Sequence, residues 1–542
     1  MTSTLRRAGP SRVEAWHIRP YTGLRVPPPG ALRVRAQPFL RSRSATQWAA
    51  LAAAVSAFVV YGLTLLPGVS VGDWAEMQKA PPALDIAHPT GYPTYVLLGK
   101  LWSFLPIGSV AFRMNLLSAV YAAVAVGLTV LILGRLGVRP TLAGAGAMLL
   151  AFTGTLWGQA TVADENTLQL ALIALLLWLA LRWRDERRPA DLRLAALVAG
   201  LALGNHLLSL GVVPFVALYM LWVARSELRQ RWREAVQAIG IGFAALLVYA
   251  YIPLRALVGP PQLYGWLLTW SGFWHLVSGA AFRGAMTFGS PESIALVAKQ
   301  VPVVADLIGT RVHAILLPLA LVGFLAAPSL LKRNGAATAG LLLAIFAADV
   351  YLYAAYRGSR EYYLLTAFLI LAICFSLAIE GLARLVERVD TDAPLLVALP
   401  SIALVLLVGA GNWGTYDLSH DHSGEEMVAE IFGYLPRNAV LITYWDTLTS
   451  LDYAHCIEGE RPDVTIQSLD PTETNACNLR LDPGAAMAAG RPVFALFVID
   501  REMTGLRAQF TLTPVADVLV PFGLRQRQYS RPLYVLAPGP GG

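Results

Sequence analysis

Charge is what this 542-residue chain has little of. Asp, Glu, Lys and Arg make up 14% of it, against 56% hydrophobic residues. A soluble globular domain carries roughly 25% charged residues, so the deficit excludes an ordinary soluble enzyme and calls for a polytopic membrane protein with some soluble mass attached. Acids are scarcest at the amino end, where nine arginines (Arg6, Arg7, Arg12, Arg19, Arg25, Arg33, Arg35, Arg41, Arg43) precede Ser44 and Glu14 stands alone against them. A short charged region with a small-residue cleavage site is missing before the first apolar run. That run therefore reads as an uncleaved first span, and residues 1–45 as a disordered basic arm able to lie against anionic headgroups. A Gly-rich phosphate loop is missing too, which leaves a nucleotide site unsupported. The net charge of +7 is no nucleic-acid signature, because the basic residues sit in the arm and in short loops between apolar runs.

What is present is a series of apolar runs, each near the ~20 residues a hydrocarbon core requires. Candidate spans cover roughly 46–67, 110–134, 140–157, 166–183, 191–208, 208–225, 234–256, 311–331, 336–356, 362–383 and 394–411. With a cytoplasmic amino terminus these eleven alternate consistently. Arg135 and Arg139, the Arg182 to Arg193 cluster, Arg225 to Arg233, Lys332/Arg333 and Arg384/Arg388 then fall inside. The loops 68–109, 158–165, 257–310 and 357–361 fall outside, as does everything after about 412. Thr94 to Leu105 and Ile294 to Ile308 are apolar but short or interrupted by charge, and read as interfacial.

The expected architecture is an all-α polytopic membrane bundle of about 11 transmembrane helices over 46–412, followed by a small extracytoplasmic α/β domain over 413–542. Strands are expected at Asn438 to Tyr444, Asp463 to Ser468, Arg491 to Ile499 and Leu533 to Ala537, with a helix at Thr447 to Cys456. The acidic, histidine-bearing patch from Asp417 to Glu426 lacks metal-ligand spacing and reads as a solvated linker. Cys456 and Cys477 can pair if their domain lies in an oxidising compartment; Cys374 is in an apolar run.

Polar residues converge on the outer loops. Asp73, Glu76, His88 and Tyr92 lie in the first, Gln159, Asp164, Glu165 and Asn166 in the second. Asn205, His206 and Arg255 close spans, and Arg357 and Arg360 join two more beside a run of tyrosines. Acids at a membrane edge are costly to desolvate and usually have a use there. Sugar transfer from a lipid-linked phosphate needs a base for the acceptor hydroxyl, suited to Asp73 or Glu76, and cations near the departing phosphate, suited to arginine. Plainer roles exist for each: Glu76 as a helix cap, His88 as a turn residue, Asp164/Glu165 as helix N-terminal carboxylates, the tyrosines as an interfacial belt, and Arg357 and Arg360 as snorkelling cations.

The run Gly72-Asp73-x-x-Glu76, then Ala87-His88-Pro89-x-Gly91-Tyr92-Pro93-x-Tyr95, then Phe112-Arg113-x-Asn115-Leu116-Leu117-Ser118-Ala119 carries a resemblance. So do Trp157-x-Gln159-Ala160-x-Val162-Ala163-x-Glu165, Gly200-Leu-Ala-Leu-Gly-Asn205-His206 and Glu458-Gly-x-Arg461-Pro462-Asp463-Val464. Together they resemble the protein O-mannosyltransferase-like membrane proteins, a GT-C-type family. The resemblance implies a GT-C-like helix bundle, a polyprenyl-phosphate sugar donor (mannose by family habit) and a catalytic acid in the first outer loop; no cofactor is expected from the sequence, and a divalent metal stays open. On this chain that acid is Asp73, with Glu76 its companion. Trp74-Ala75 replaces the family's Ser-Gly, putting a bulky ring beside Asp73, and Thr90 replaces its second proline. The runner-up is a transporter or flippase of a lipid-linked saccharide, with Asp349 as its intramembrane acid, although no repeated halves are present. A third reading is a non-catalytic scaffold.

Overall fold

The computed structural model describes residues 31–260, 262–286, 291–312, 316–331, 334–357, 360–388, 394–469, 473–475, 481–497, 504–522 and 527–539. The basic arm up to residue 30, Lys332/Arg333 and Cys477 lie outside them. Residues before Thr46 form a unit of their own; from Thr46 onward the chain is one compact unit.

That unit is a helix bundle. Its first half comprises the part of α1 (Ala31–Leu63) from Thr46 onward, α2 (Gly72–Ala83), α3 (Pro93–Ser103), α4 (Val110–Arg135), α5 (Pro140–Ala151), α6 (Gly154–Ala160), α7 (Glu165–Glu186) and α8 (Pro189–Leu203). Seven helices among the described residues are long and apolar enough to cross a bilayer, or eight if the α5–α6 pair, bent by 70°, is counted as one span. The expected eleven is therefore high by this measure. Helices do form at the three remaining places, but α8, Val213–Val223 and Leu316–Leu330 have only 15, 11 and 15 residues. Ile294 to Ile308 lies inside a 22-residue helix, Pro291–Val312, in which Lys299 and Asp306 keep the apolar stretch broken. The segment read as interfacial at Thr94 to Leu105 is α3, buried along Tyr95, Val96 and Gly99 and exposed at Leu98, Leu101 and Phe104.

The arginine clusters gather at one end. Arg135 pairs with Asp185 and Glu186, Arg139 and Arg384 with Glu380, and Arg187 with Glu227. At the other end sit α2, the start of α7 and the C-terminal domain. The protein is an integral, multi-pass membrane protein.

The C-terminal domain holds a five-stranded mixed sheet in the order Thr465–Ser468, Val440–Thr443, Val493–Leu496, Arg527–Pro538, Phe510–Phe522. The first three strands are parallel and the last two antiparallel. Val440–Thr443 is buried along its whole length, as a strand covered on both faces must be. All four strands read from the sequence are present, and the expected helix is Trp445–Cys456. Phe510–Phe522 is an addition. Its prolines Pro514 and Pro521 are tolerated because it is the edge strand and bulges between Pro514 and Ala516. The linker reading fails at its end: Ser423–Tyr434 is a helix, with Glu425 and Glu426 in the first turn where the dipole favours acids. Asp417 and Asp421 make local turns by accepting from Ser419 and Ser423. Cys456 is disulfide-bonded, and Cys374 is a buried free thiol.

The sheet domain docks on the first loop. Ser450 Oγ donates to the Ser70 carbonyl (2.7 Å), and the Tyr453 hydroxyl accepts from Ala111 N–H (2.7 Å). At Gly424 a Cβ would lie 2.2 Å from the Val69 carbonyl oxygen, so the Ser423–Tyr434 helix approaches the loop as closely as only glycine allows.

Candidate active site

Helix α2 buries three polar side chains, Glu76, Gln78 and Lys79, with no exposure at all. Such burial is tolerable only with partners, and each has them. Gln78 accepts from Ser70 N–H and donates to the Gly68 carbonyl and to Asn115 Oδ1. Asn115 in turn accepts from Ala163 N–H and donates to the Leu66 carbonyl (2.8 Å each). Lys79 bridges Asp85 (3.3 Å) and Asp452 (3.4 Å). Glu76 accepts from His88 N–H (2.9 Å) and pairs with His88 Nδ1. The His88 Nε2 meets the Tyr92 hydroxyl at 3.0 Å. Burial opposes charge on His88, but the Glu76 carboxylate more than offsets it, and the pKa is pushed up to about 10. His88 is thus a fixed cation.

Asp73, by contrast, is exposed at the start of α2, just after Gly72, whose φ of +58° suits a residue without Cβ. It looks into a cavity of about 960 Å³. The walls come from distant segments: His88, Thr90 and Tyr92; His206 with Leu207, Leu208 and Leu210; His275, Phe282 and Met286; Leu352 and Tyr356; Arg360, Tyr362 and Tyr363; and Tyr444, Trp445 and Asp446. The lining combines apolar side chains, the leucines, Phe282 and Met286, with two carboxylates, an arginine and the His88 cation.

Of the residues singled out in the sequence, Asp73, His88, Tyr92, His206 and Arg360 line this cavity. Glu76, Gln159, Glu165 and Asn205 stand behind it. The Gln159 amide donates to both Asp164 oxygens (2.7 and 2.9 Å), and burial raises the Asp164 pKa to about 7. Asn205 donates to the Glu165 carbonyl (3.1 Å) and to Gln169 (3.3 Å), while Glu165 lies 3.9 Å from His206 Nε2. Two expected substrate-binding residues are elsewhere. Arg255 donates to the Leu84 and Ala83 carbonyls (2.6 and 3.2 Å), closing the C-terminal end of α2, where carbonyls lack helical partners. Arg357 is not part of the cavity wall; its backbone N–H donates to the Ala285 carbonyl. Trp74 is not the ring beside Asp73, since it packs on Leu66, Val162 and Leu418.

The ring beside Asp73 is Trp445, whose indole Nε1 donates to Asp73 Oδ1. Sequence reading missed it, together with Asp446. Burial and the nearby Asp73 charge raise the Asp446 pKa, with Arg360 partly opposing. The available signal was positional: Tyr444-Trp445-Asp446 follows a short apolar strand and opens a helix. That is the carboxyl end of a central parallel strand, where open sheets present ligand-binding groups.

The protein is a polytopic membrane protein whose fold is of the GT-C type seen in ArnT. The chain matches ArnT from Cupriavidus metallidurans bound to undecaprenyl phosphate with a TM-score of 0.57 at 13% identity, over 90% of this chain and 97% of that one. The apo form of the same protein matches at 0.56 and 14%, over 91% and 98%. Residues 73–230 match the family model for the protein O-mannosyl-transferase TMEM260 N-terminal domain. The mouse protein O-mannosyl-transferase TMEM260 is 28% identical over 222 residues, 40% of this chain and 31% of its own. The Dictyostelium discoideum protein of that name is 23% identical over 477 residues, 77% of this chain and 56% of its own. The chain thus spans 31% and 56% of the length of these two relatives. In sequence it is similar to the protein O-mannosyl-transferases named TMEM260, and in fold to ArnT.

Proposed function

We propose that the protein is a membrane glycosyltransferase that moves a sugar, mannose by the names of its relatives, from a polyprenyl-phosphate donor to an acceptor hydroxyl. The observation that carries this reading is that Asp73 and Arg360 line one cavity together with a set of apolar side chains. A lipid-linked sugar phosphate has the same combination. Its chain suits Leu207, Leu208, Leu210 and Leu352, its phosphate suits the Arg360 guanidinium, and its sugar sits between.

In this reading Asp73 takes the proton of the acceptor hydroxyl as that oxygen bonds to the anomeric carbon. The bond from that carbon to the phosphate oxygen breaks, and polyprenyl phosphate leaves with its charge balanced by Arg360 and the His88 cation. The arginine clusters lie at the far end of the bundle, which favours a cytoplasmic amino terminus and an extracytoplasmic cavity. The transporter reading leaned on Asp349, but that carboxylate accepts from Ala367 N–H at 2.8 Å, at the first turn of the helix Leu365–Val386.

The test is mass spectrometry of envelope glycans and glycoproteins from a strain lacking the gene and from the same strain complemented. A hexose present only on complementation supports transfer. Identical products in both strains would remove the reading.

A further inference from the structure

Trp445 and Asp73 are 372 positions apart, in different parts of the fold, and are joined by a hydrogen bond. We propose that Trp445 is a positioning residue for Asp73, so that the C-terminal domain supplies part of the transfer site. The inference rests on the reading of Asp73 as the base.

Asp73 is exposed at the first turn of α2, where it lines the cavity. An unrestrained aspartate explores several rotamers, and a base must hold its lone pairs toward one hydroxyl. The indole N–H is suited to this restraint. It donates only, so it cannot take the proton that the carboxylate is there to accept, and it occupies one oxygen while the carboxylate keeps further acceptor sites.

The indole is itself held. Its ring stands at 90° to the His88 imidazole, with centroids 5.7 Å apart, and His88 is fixed by Glu76 and Tyr92. Trp445 opens the helix Trp445–Cys456, and that helix is pinned to the first loop further along. Ser450 bonds Ser70, Asp452 pairs with Lys79, and Tyr453 bonds Ala111. The turn also abuts the start of α2: a Cβ built on Gly72 would lie 3.5 Å from Asp446 Oδ1. Trp445 therefore approaches Asp73 on a rigid arm.

An interface tryptophan with a packing role alone belongs in a dry contact. Trp445 is half-buried and faces the cavity, with Tyr444 and Asp446 on either side of it also in the wall. Its polar edge meets the one carboxylate of the first loop that is open to the cavity.

The experiment uses the full-length protein in proteoliposomes, with radiolabelled polyprenyl-phosphate-linked mannose as donor and a detergent extract of envelope proteins as acceptor. Trp445→Phe keeps an aromatic ring and loses the N–H. Its kcat falls up to about 100-fold, the effect of a misplaced catalytic group, while the donor KM stays within about two-fold of wild type. A second variant carrying β-(3-benzothienyl)alanine at position 445 keeps the bicyclic ring and lacks only the N–H, so it separates the hydrogen bond from packing. Full kcat in that variant, beside an active wild type and a silent Asp73→Asn, overturns this proposal alone. Full activity in Asp73→Asn overturns the base assignment and this proposal together.

Discussion

Lys79 and Asp452 form an ion pair at 3.4 Å with side-chain exposures of 0% and 3%. A loop helix between the first two spans is thereby bound to a domain that follows the last one. Burying both charges is costly, and Asp85 at 3.3 Å on the same ammonium completes the compensation. Lys79→Met leaves two carboxylates facing each other without a cation. It should cost about 3–5 kcal/mol, the range for breaking a buried pair. Thermal unfolding of the purified protein measures this, and the double variant Lys79→Met/Asp452→Leu should recover part of the loss. Wild-type stability in Lys79→Met would mean the pair contributes nothing net.

A second expectation concerns pH. The folded pKa of His88 is raised to about 10, against 6.5 for an unperturbed histidine, because Glu76 outweighs the burial penalty. A group whose folded pKa is raised contributes stability that is complete below the unfolded value and is lost as pH climbs through the folded one. Stability of the wild type should therefore decline between about pH 6.5 and 10. Glu76→Gln should be less stable at pH 6 and should show a much flatter decline. Equal slopes for the two proteins would place the loss in other groups.

Asp73→Asn should abolish transfer while leaving insertion and folding intact, since its carboxylate is exposed and its removal opens no core. Base catalysis is worth about 10²–10⁴-fold, and an amide cannot accept the proton. Initial rates on a lipid-linked mannose donor, with circular dichroism as the folding control, test this. An Asn variant within ten-fold of wild type removes Asp73 from the mechanism.

The two arginines of the 357–361 connection should now behave differently. Arg360 lines the cavity and Arg357 does not. Arg360→Ala should raise the donor KM strongly and Arg360→Lys less, because an ammonium keeps charge and loses the bidentate fork. Arg357→Ala should leave donor KM near wild type. The reverse order in a donor titration would move the phosphate site.

What the sequence made legible follows from locality. The apolar runs, the short α/β tail and the loop carrying Asp73 each announce themselves within a few dozen residues. Arg360 and His206 were grouped with Asp73 by a one-dimensional argument, that loops on alternate sides share a surface. Trp445 and Asp446 escaped because they belong to a separate fold element whose docking depends on Lys79, Ser70 and Gly424, none of which signals a partner hundreds of residues away. Arg255 misled for a related reason. A cation at a span end looks the same whether it faces a phosphate or the carbonyls at the end of α2. Asn115 stood out only as a motif letter and Gln78 not at all; their shared network, which fixes the loop beneath Asp73, is visible only in three dimensions.

The indole bond to Asp73 also sets an order of assembly. Asp73 emerges from the ribosome soon after the first span, hundreds of residues ahead of Trp445. A chain halted after its last membrane helix carries the carboxylate without the residue that aims it. The contact between Asp73 and Trp445 is made only when the final domain folds onto the first loop, so a partly made copy holds the carboxylate without its indole partner.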